Sequence, residues 1–222
     1  MIFDRLDAEV RPAATASLTL GAVVGAFGAV FGVGAVAAGA TVAQACVMSL
    51  LVFTGASQFS AMSVIATGGS TSSALSSAIL LAARNGVYGL TMARHLHGPL
   101  WRRLLAAQLV LDESTAMATA QPSSRAKITA FWVTGVSVYV FWNLGTLLGA
   151  IAGSNVDPQR YGLDAAFPAG FVAMVAPHLR TPEGRVAAAL GAVICLVTIP
   201  FVPVGVSILC AAVAVLVGVK RP

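Results

Sequence analysis

The stretch Leu51–Gly69, LVFTGASQFSAMSVIATGG, constrains the chain more than any other. It is apolar enough to lie in a bilayer, yet its middle carries Gly55, Ala56, Ser57 and Gln58, where a lipid-buried helix would carry Leu and Val. A glutamine amide in hydrocarbon must find a hydrogen-bond partner or it costs a few kcal/mol. Gly55 beside it weakens the helix and lets another backbone, or a ligand, come close. Two readings follow: a membrane helix broken where a small polar solute passes, or a packing seam of small residues with one satisfied amide.

Only 9% of the 222 residues are charged, while 58% are hydrophobic. Soluble domains carry roughly a quarter charged residues, so a soluble surface cannot be covered here, and the long apolar runs lack the polar faces of an apolar soluble enzyme. At about 20 apolar residues per crossing, the chain predicts an all-α polytopic integral membrane protein with about seven or eight transmembrane or re-entrant helices. A tail at 1–16 precedes one membrane domain at 17–219. The net charge of +5 sits mainly at the ends of apolar runs, where it orients a chain in a membrane rather than binding nucleic acid. Cys46, Cys195 and Cys210 lie inside apolar runs and read as small hydrophobes, with no metal site implied. The tail holds Asp4, Asp7 and Glu9 against Arg5 and Arg11, which suits a retained first helix better than an export signal.

Along the chain, residues 17–38 form the first predicted helix, with Gly21, Gly25, Gly28 and Gly32 on one face for close packing. The second, 42–66, contains the opening stretch. Ser72 or Ser73 is placed to cap the third, 74–92, which buries Arg84 well inside an apolar sequence. That arginine can hold a substrate carboxylate with paired donors, or form a structural ion pair with an acid on another helix. Arg94, His95, His97, Arg102 and Arg103 form a basic connector that reads as a solvated loop. The segment 104–120 carries Asp112 and Glu113, candidates for proton coupling. Adjacent helical residues diverge by about 100°, so one of the two at most is expected to face a given pathway. A span at 128–151 with Trp142 and a Gly145/Gly149 pair follows, then a linker at 152–162.

Asp164–Pro177 is short and interrupted by Pro168 and Gly170, as are the broken helices at carrier binding sites. Phe59-Ser60-Ala61-Met62 and Phe171-Val172-Ala173-Met174 match at three of four positions. They suggest an internal repeat with halves 17–120 and 128–219 and interrupted helices at 51–66 and 164–177. Residues 186–200 and 203–219 close the chain as an apolar hairpin. Simple crossings throughout would leave the basic connector outside, against the positive-inside rule, so 43–66 or 104–120 is expected to enter and leave by one side.

LVFTGASQFSAM, Arg84 with Tyr88, Gly89 and His95, Asp112-Glu113, Trp142 with Leu144-Gly145-Thr146, and Leu163-Asp164 with Phe167-Pro168-Ala169 together resemble the AzlC (YgaZ) family. The resemblance covers about residues 15–219. That family's N-x-R-H around the arginine is here Ala82, Arg84 and Asn85, so one hydrogen-bonding position is lost and another altered. The resemblance implies the large subunit of a two-component exporter of branched-chain or similar small apolar amino acids. It also implies a small AzlD-type membrane partner and a place in the inner (plasma) membrane. The residues agree with it: a zwitterion needs a cation, acceptors and an apolar pocket. Arg84, Asn85, Gln58, Ser57, Asp164 and Gly55, with Phe59, Phe167, Pro168 and Phe171, are the expected substrate-binding set around one mid-membrane cavity. No cofactor is implied, and no nucleotide-binding P-loop is present. Against this stand a passive channel, a structural membrane subunit, and an intramembrane enzyme using Ser57 with His95 or His178; Ser57 lacks the G-x-S-x-G frame of such a nucleophile.

Overall fold

The computed structural model describes residues 10–155, 160, 165–202 and 206–218, and among these every regular element is helical. Two helices are long and apolar enough to cross a bilayer: α1 (Val10–Ala37) and α7 (Ser124–Ser154). They lie side by side and parallel. Ser17 meets Thr134 through a 2.8 Å hydroxyl–hydroxyl hydrogen bond. Further along, Gly21 sits on Ser137, Gly25 on Phe141, Gly32 on Thr146 and Val33 on Gly153, so later residues of one meet later residues of the other. The expected glycine face of α1 is therefore the contact face, and α7 answers it with Gly145 and Gly149, which sit against the backbone of Gly25 and Ala29. Small residues let the two backbones touch, and dispersion replaces the hydrophobic drive that lipid cannot supply.

The sequence reading of 42–66 as one segment divides into α2 (Val42–Leu51) and α3 (Gly55–Ala66), separated by Val52–Thr54. A straight helix would carry Gln58 about 15 Å beyond Met48. Instead the Gln58 amide donates to the Met48 carbonyl at 3.3 Å and the Ser49 carbonyl at 3.5 Å, so α3 doubles back beside α2. Contacts with α7 give the descent: Ser49 bonds Thr146 at 3.1 Å, then the Tyr139 hydroxyl donates to the Leu50 carbonyl at 3.3 Å. From the tip, α3 climbs from Gly55 to Phe59, whose ring packs on Phe31 at 5.9 Å. Residues 67–70 then turn the chain into α4 (Thr71–Ala93). Its cap is Ser70, whose hydroxyl accepts from the Ser73 N–H at 3.2 Å, rather than the expected Ser72 or Ser73.

Residues 104–120 also prove to be two pieces rather than one. α5 (Leu100–Gln108) begins inside the stretch read as a solvated loop, and α6 (Asp112–Thr119) follows after Leu109–Leu111. α5 runs along α7 in its own direction: Arg102 stacks 5.8 Å over the Trp132 ring, and Leu109 touches Gly135. α6 returns, because α7 starts just beyond residues 120–123. Ser114 holds this second bend by accepting from the Leu111 N–H at 2.9 Å and donating to the Leu109 carbonyl at 2.6 Å.

The two units have one plan. Each is a short helix, a three-residue bend, a short returning helix, a four-residue turn ending in a capping serine (Ser70 or Ser123), and a long helix. They point in opposite directions, since α2 descends along α7 and α5 ascends it. Residues 42–93 and 100–154 are thus an inverted repeat, with bounds other than those the FSAM/FVAM match suggested. The bends meet beside Val138–Trp142, midway along α7, where Gln108 Nε2 donates to the Leu50 carbonyl at 3.1 Å and the Leu51 carbonyl at 3.5 Å. Gln108→Ala is expected to cost roughly 1 kcal/mol by leaving those carbonyls unpaired; the midpoint of thermal unfolding in detergent checks it.

The rest of the described chain packs around this frame. α8 (Ala166–Val175) lies on α1 and α3 and carries Pro168 in its first turn, where a missing N–H is tolerated. After a 3-10 turn, α9 (Pro182–Thr198) pairs with α10 (Val206–Ala211) and the 3-10 segment beyond it, as the apolar hairpin expected there. The three cysteines are free and half-buried.

Candidate functional site

A cavity of about 440 Å³ opens where the two bends meet the middles of α1, α4 and α7. Its polar lining is Thr54, Arg84, Asn85, Asp112 and Glu113; Phe27, Phe53, Trp142 and Phe171 supply aromatic walls. The fold explains each polar position. Thr54 and Gly55 stand at the start of α3 because the first bend ends there, and Asp112 and Glu113 open α6 because the second bend ends there. α4, antiparallel to α3, delivers Arg84 and Asn85 to the same depth.

Arg84 Nη1 and Asp112 Oδ2 form a 2.9 Å ion pair, and the two side chains keep 37% and 40% exposure. Two of their other atoms, Arg84 Nε and Asp112 Oδ1, are shielded from solvent and lack a hydrogen-bond partner, and the Tyr88 hydroxyl stands beside Asp112. Arg–carboxylate pairs are frequently bidentate, and this one leaves that capacity unused. Beside them α3 begins without a side-chain cap, so its first-turn N–H groups, which have no partner within the helix, add the positive end of a helix dipole to the cavity wall.

The expected site residues divide into three groups. Gly55, Arg84, Asn85 and Phe171 line the cavity, and so do both Asp112 and Glu113. The sequence expectation that one acid at most would face the pathway fails because both occupy the first turn of a helix that presents its end, not its side, to the cavity. Ser57, Gln58 and Phe59 stand behind the wall, each 0% exposed. Gln58 accepts from the Trp142 indole N–H at 3.0 Å while its amide ties α3 to α2; it fastens the first hairpin and does not line the cavity. Gly55 has a second duty, since a Cβ there would stand 2.7 Å from the Trp142 ring. Phe59 joins the Phe31, Trp142 and Phe171 ring cluster. Pro168 is exposed on α8, and the Phe167 backbone lies in that helix. The Phe167 side chain and all of Asp164 lie outside the described residues, and of the expected Gln58–Arg84–Asp164 gathering only Arg84 lines the cavity among the described residues, paired with Asp112. Sequence reasoning missed Thr54, Phe27 and Trp142 as wall residues, and Asp112 as the partner of Arg84.

Gln58→Leu is expected to destabilise the protein by about 1–3 kcal/mol, because the buried Trp142 N–H and two α2 carbonyls lose their partner. Affinity for a ligand of the cavity should hold in the folded fraction, because Gln58 does not line it. Thermal unfolding alongside ligand titration separates the two effects.

Residues 19–156, which contain both repeat units, match the model of the AzlC protein family. A relative in Helicobacter pylori strain 26695, described as an uncharacterized membrane protein, is 25% identical over 185 residues, covering 82% of this chain and 80% of its own. A second, from strain J99 and described in the same words, is 25% identical over 154 residues, covering 67% and 68%. No solved structure matches. The family model spans more than half of the chain, including every described polar residue of the cavity, and the protein belongs to the AzlC family of membrane proteins.

Proposed function

We propose that the protein is a secondary transporter of the inner (plasma) membrane that exports branched-chain or similar small apolar amino acids. In this reading it works with a small membrane subunit of the AzlD type. The observation that carries it is a half-satisfied pair of opposite charges on an aromatic-walled cavity halfway along two bilayer-length helices. An amino acid zwitterion has the complementary pattern. Its carboxylate suits Arg84 and the uncapped start of α3, its ammonium suits the free oxygen of Asp112, and its side chain suits the walls of Phe27, Phe53 and Phe171. Mid-membrane placement of a site between inverted units with discontinuous helices is the common arrangement of carriers, which open it to each side in turn.

Charge placement supports the orientation. Arg11, Arg94, Arg102, Arg103, Arg125 and Lys127 fall at one end of the bundle, whereas the turns at 38–41 and 67–70 at the other end carry no charge. By the positive-inside rule the basic end faces the cytoplasm. Because both hairpins return to the side they entered from, the basic connector no longer conflicts with that rule.

Counterflow tests the function. Vesicles containing the purified protein and preloaded with unlabelled leucine should accumulate labelled leucine transiently, above protein-free vesicles. Flux that equilibrates without counterflow would assign a channel, and no flux with or without a co-purified small subunit would remove the transport reading.

A further inference from the structure

At the basic end, two hollows join into one site that the transport reading leaves unused. The first, about 160 Å³, is lined by His95, His97, Arg102 and Arg103 with Trp132, and no carboxylate lines it. Its Trp132 Nε1–H is buried and has no hydrogen-bond partner. The second, about 480 Å³, is an apolar groove between α4 and α5 that runs from Leu96 past Gly89 and Leu104 to Val110. The two hollows share Leu96, His97, Arg103 and Ala106. Gly89 leaves the groove open, since a Cβ there would meet nothing within 4 Å. The exposed Leu100, Trp101 and Leu104 of α5 place this hollow at the bilayer surface, with apolar and aromatic side chains outward.

We infer that this is a binding site for an anionic phospholipid, with the phosphate held by Arg102, Arg103 and the two histidines and one acyl chain laid in the α4–α5 groove. Each half calls for the other. A free anion would leave the groove uncovered, and a zwitterionic lipid would bring its own ammonium against a hollow lined by two arginines and no carboxylate. The groove ends on Val110, in the second bend, and that bend also lines the solute cavity through Leu111. A chain seated there braces the α5–α6 hairpin. The inference needs only that the protein lies in a membrane, and it stands or falls apart from the choice of solute.

Native mass spectrometry of the full chain in detergent tests it, with phosphatidylglycerol and phosphatidylcholine of matched chains as probes and inorganic phosphate as competitor. Phosphatidylglycerol should bind roughly ten- to thirtyfold more tightly, the scale set by two basic side chains at a membrane surface. Arg102→Ala with Arg103→Ala should erase that preference, while Arg94→Ala, outside the hollow, should keep it. Gly89→Leu fills the groove without changing charge and should weaken binding of both lipids. Equal binding of the two lipids, full displacement by inorganic phosphate, an equal loss in Arg94→Ala, or undiminished binding in Gly89→Leu would each overturn the assignment. If the double arginine variant fails to fold, the glycine variant and the competition with phosphate still decide.

Discussion

Arg84→Ala should abolish leucine counterflow and weaken substrate binding by roughly thirtyfold or more, because it strands a partly buried Asp112 and removes the cation that meets the carboxylate. Asp112→Asn should also block transport while leaving Arg84 free for the carboxylate, so that acidic analogues without an ammonium group lose little affinity. The competing account treats the 2.9 Å pair as a strut. Replacing both partners, Arg84→Met with Asp112→Leu, separates the two accounts: a strut can be exchanged for packed apolar groups at little cost or with a gain in stability. A stable double variant that still exchanges leucine would sink the binding role. A stable double variant that no longer does so would support it.

The second large effect lies in the contact between α1 and α7. A Cβ at Gly28 would fall on the Trp142 carbonyl, and one at Gly149 on the Ala29 carbonyl. The colliding atoms are backbone, so no rotamer change relieves them. Gly28→Val or Gly149→Val is expected to cost at least about 1–3 kcal/mol, the usual price of overpacking, and to lower both the yield of folded protein and its unfolding temperature. Gly86 is the control. Nothing lies within 4 Å of its would-be Cβ, so Gly86→Ala should be neutral or stabilising by about 0.5–1 kcal/mol.

What could be read beforehand divides along a physical line. The glycine spacing at 21, 25, 28 and 32 is local and periodic, and it named the correct contact face. Arg84, Asp112 and Glu113 could be singled out because charge in an apolar sequence is costly wherever it sits. Their meeting could not be read, since it depends on two hairpins turning back toward each other. The positive-inside rule called for one such turn within 43–66 or 104–120, but Thr54 is the one polar residue in the two bends. Val52, Phe53, Leu109, Val110 and Leu111 are as apolar as the helices they join, so hydropathy merges each hairpin into one segment. Gln58 is a related case. Of the two readings of its amide, the structure holds the satisfied one, and the groups that satisfy it come from Met48, Ser49 and Trp142, which only the bend brings within reach.

The backbone contact between α1 and α7 also limits how such a molecule can move. Two helices packed this closely along Gly21, Gly25, Gly28 and Gly32 leave little room for relative displacement, and they are expected to move as one spine. In the proposed transporter, access from either side would then come from flexing of the oppositely directed hairpins against that spine, with the Gln108 bond to Leu50 joining them. Spin labels on α1 and α7 should hold one separation through the transport cycle, while labels on the two tips should show two.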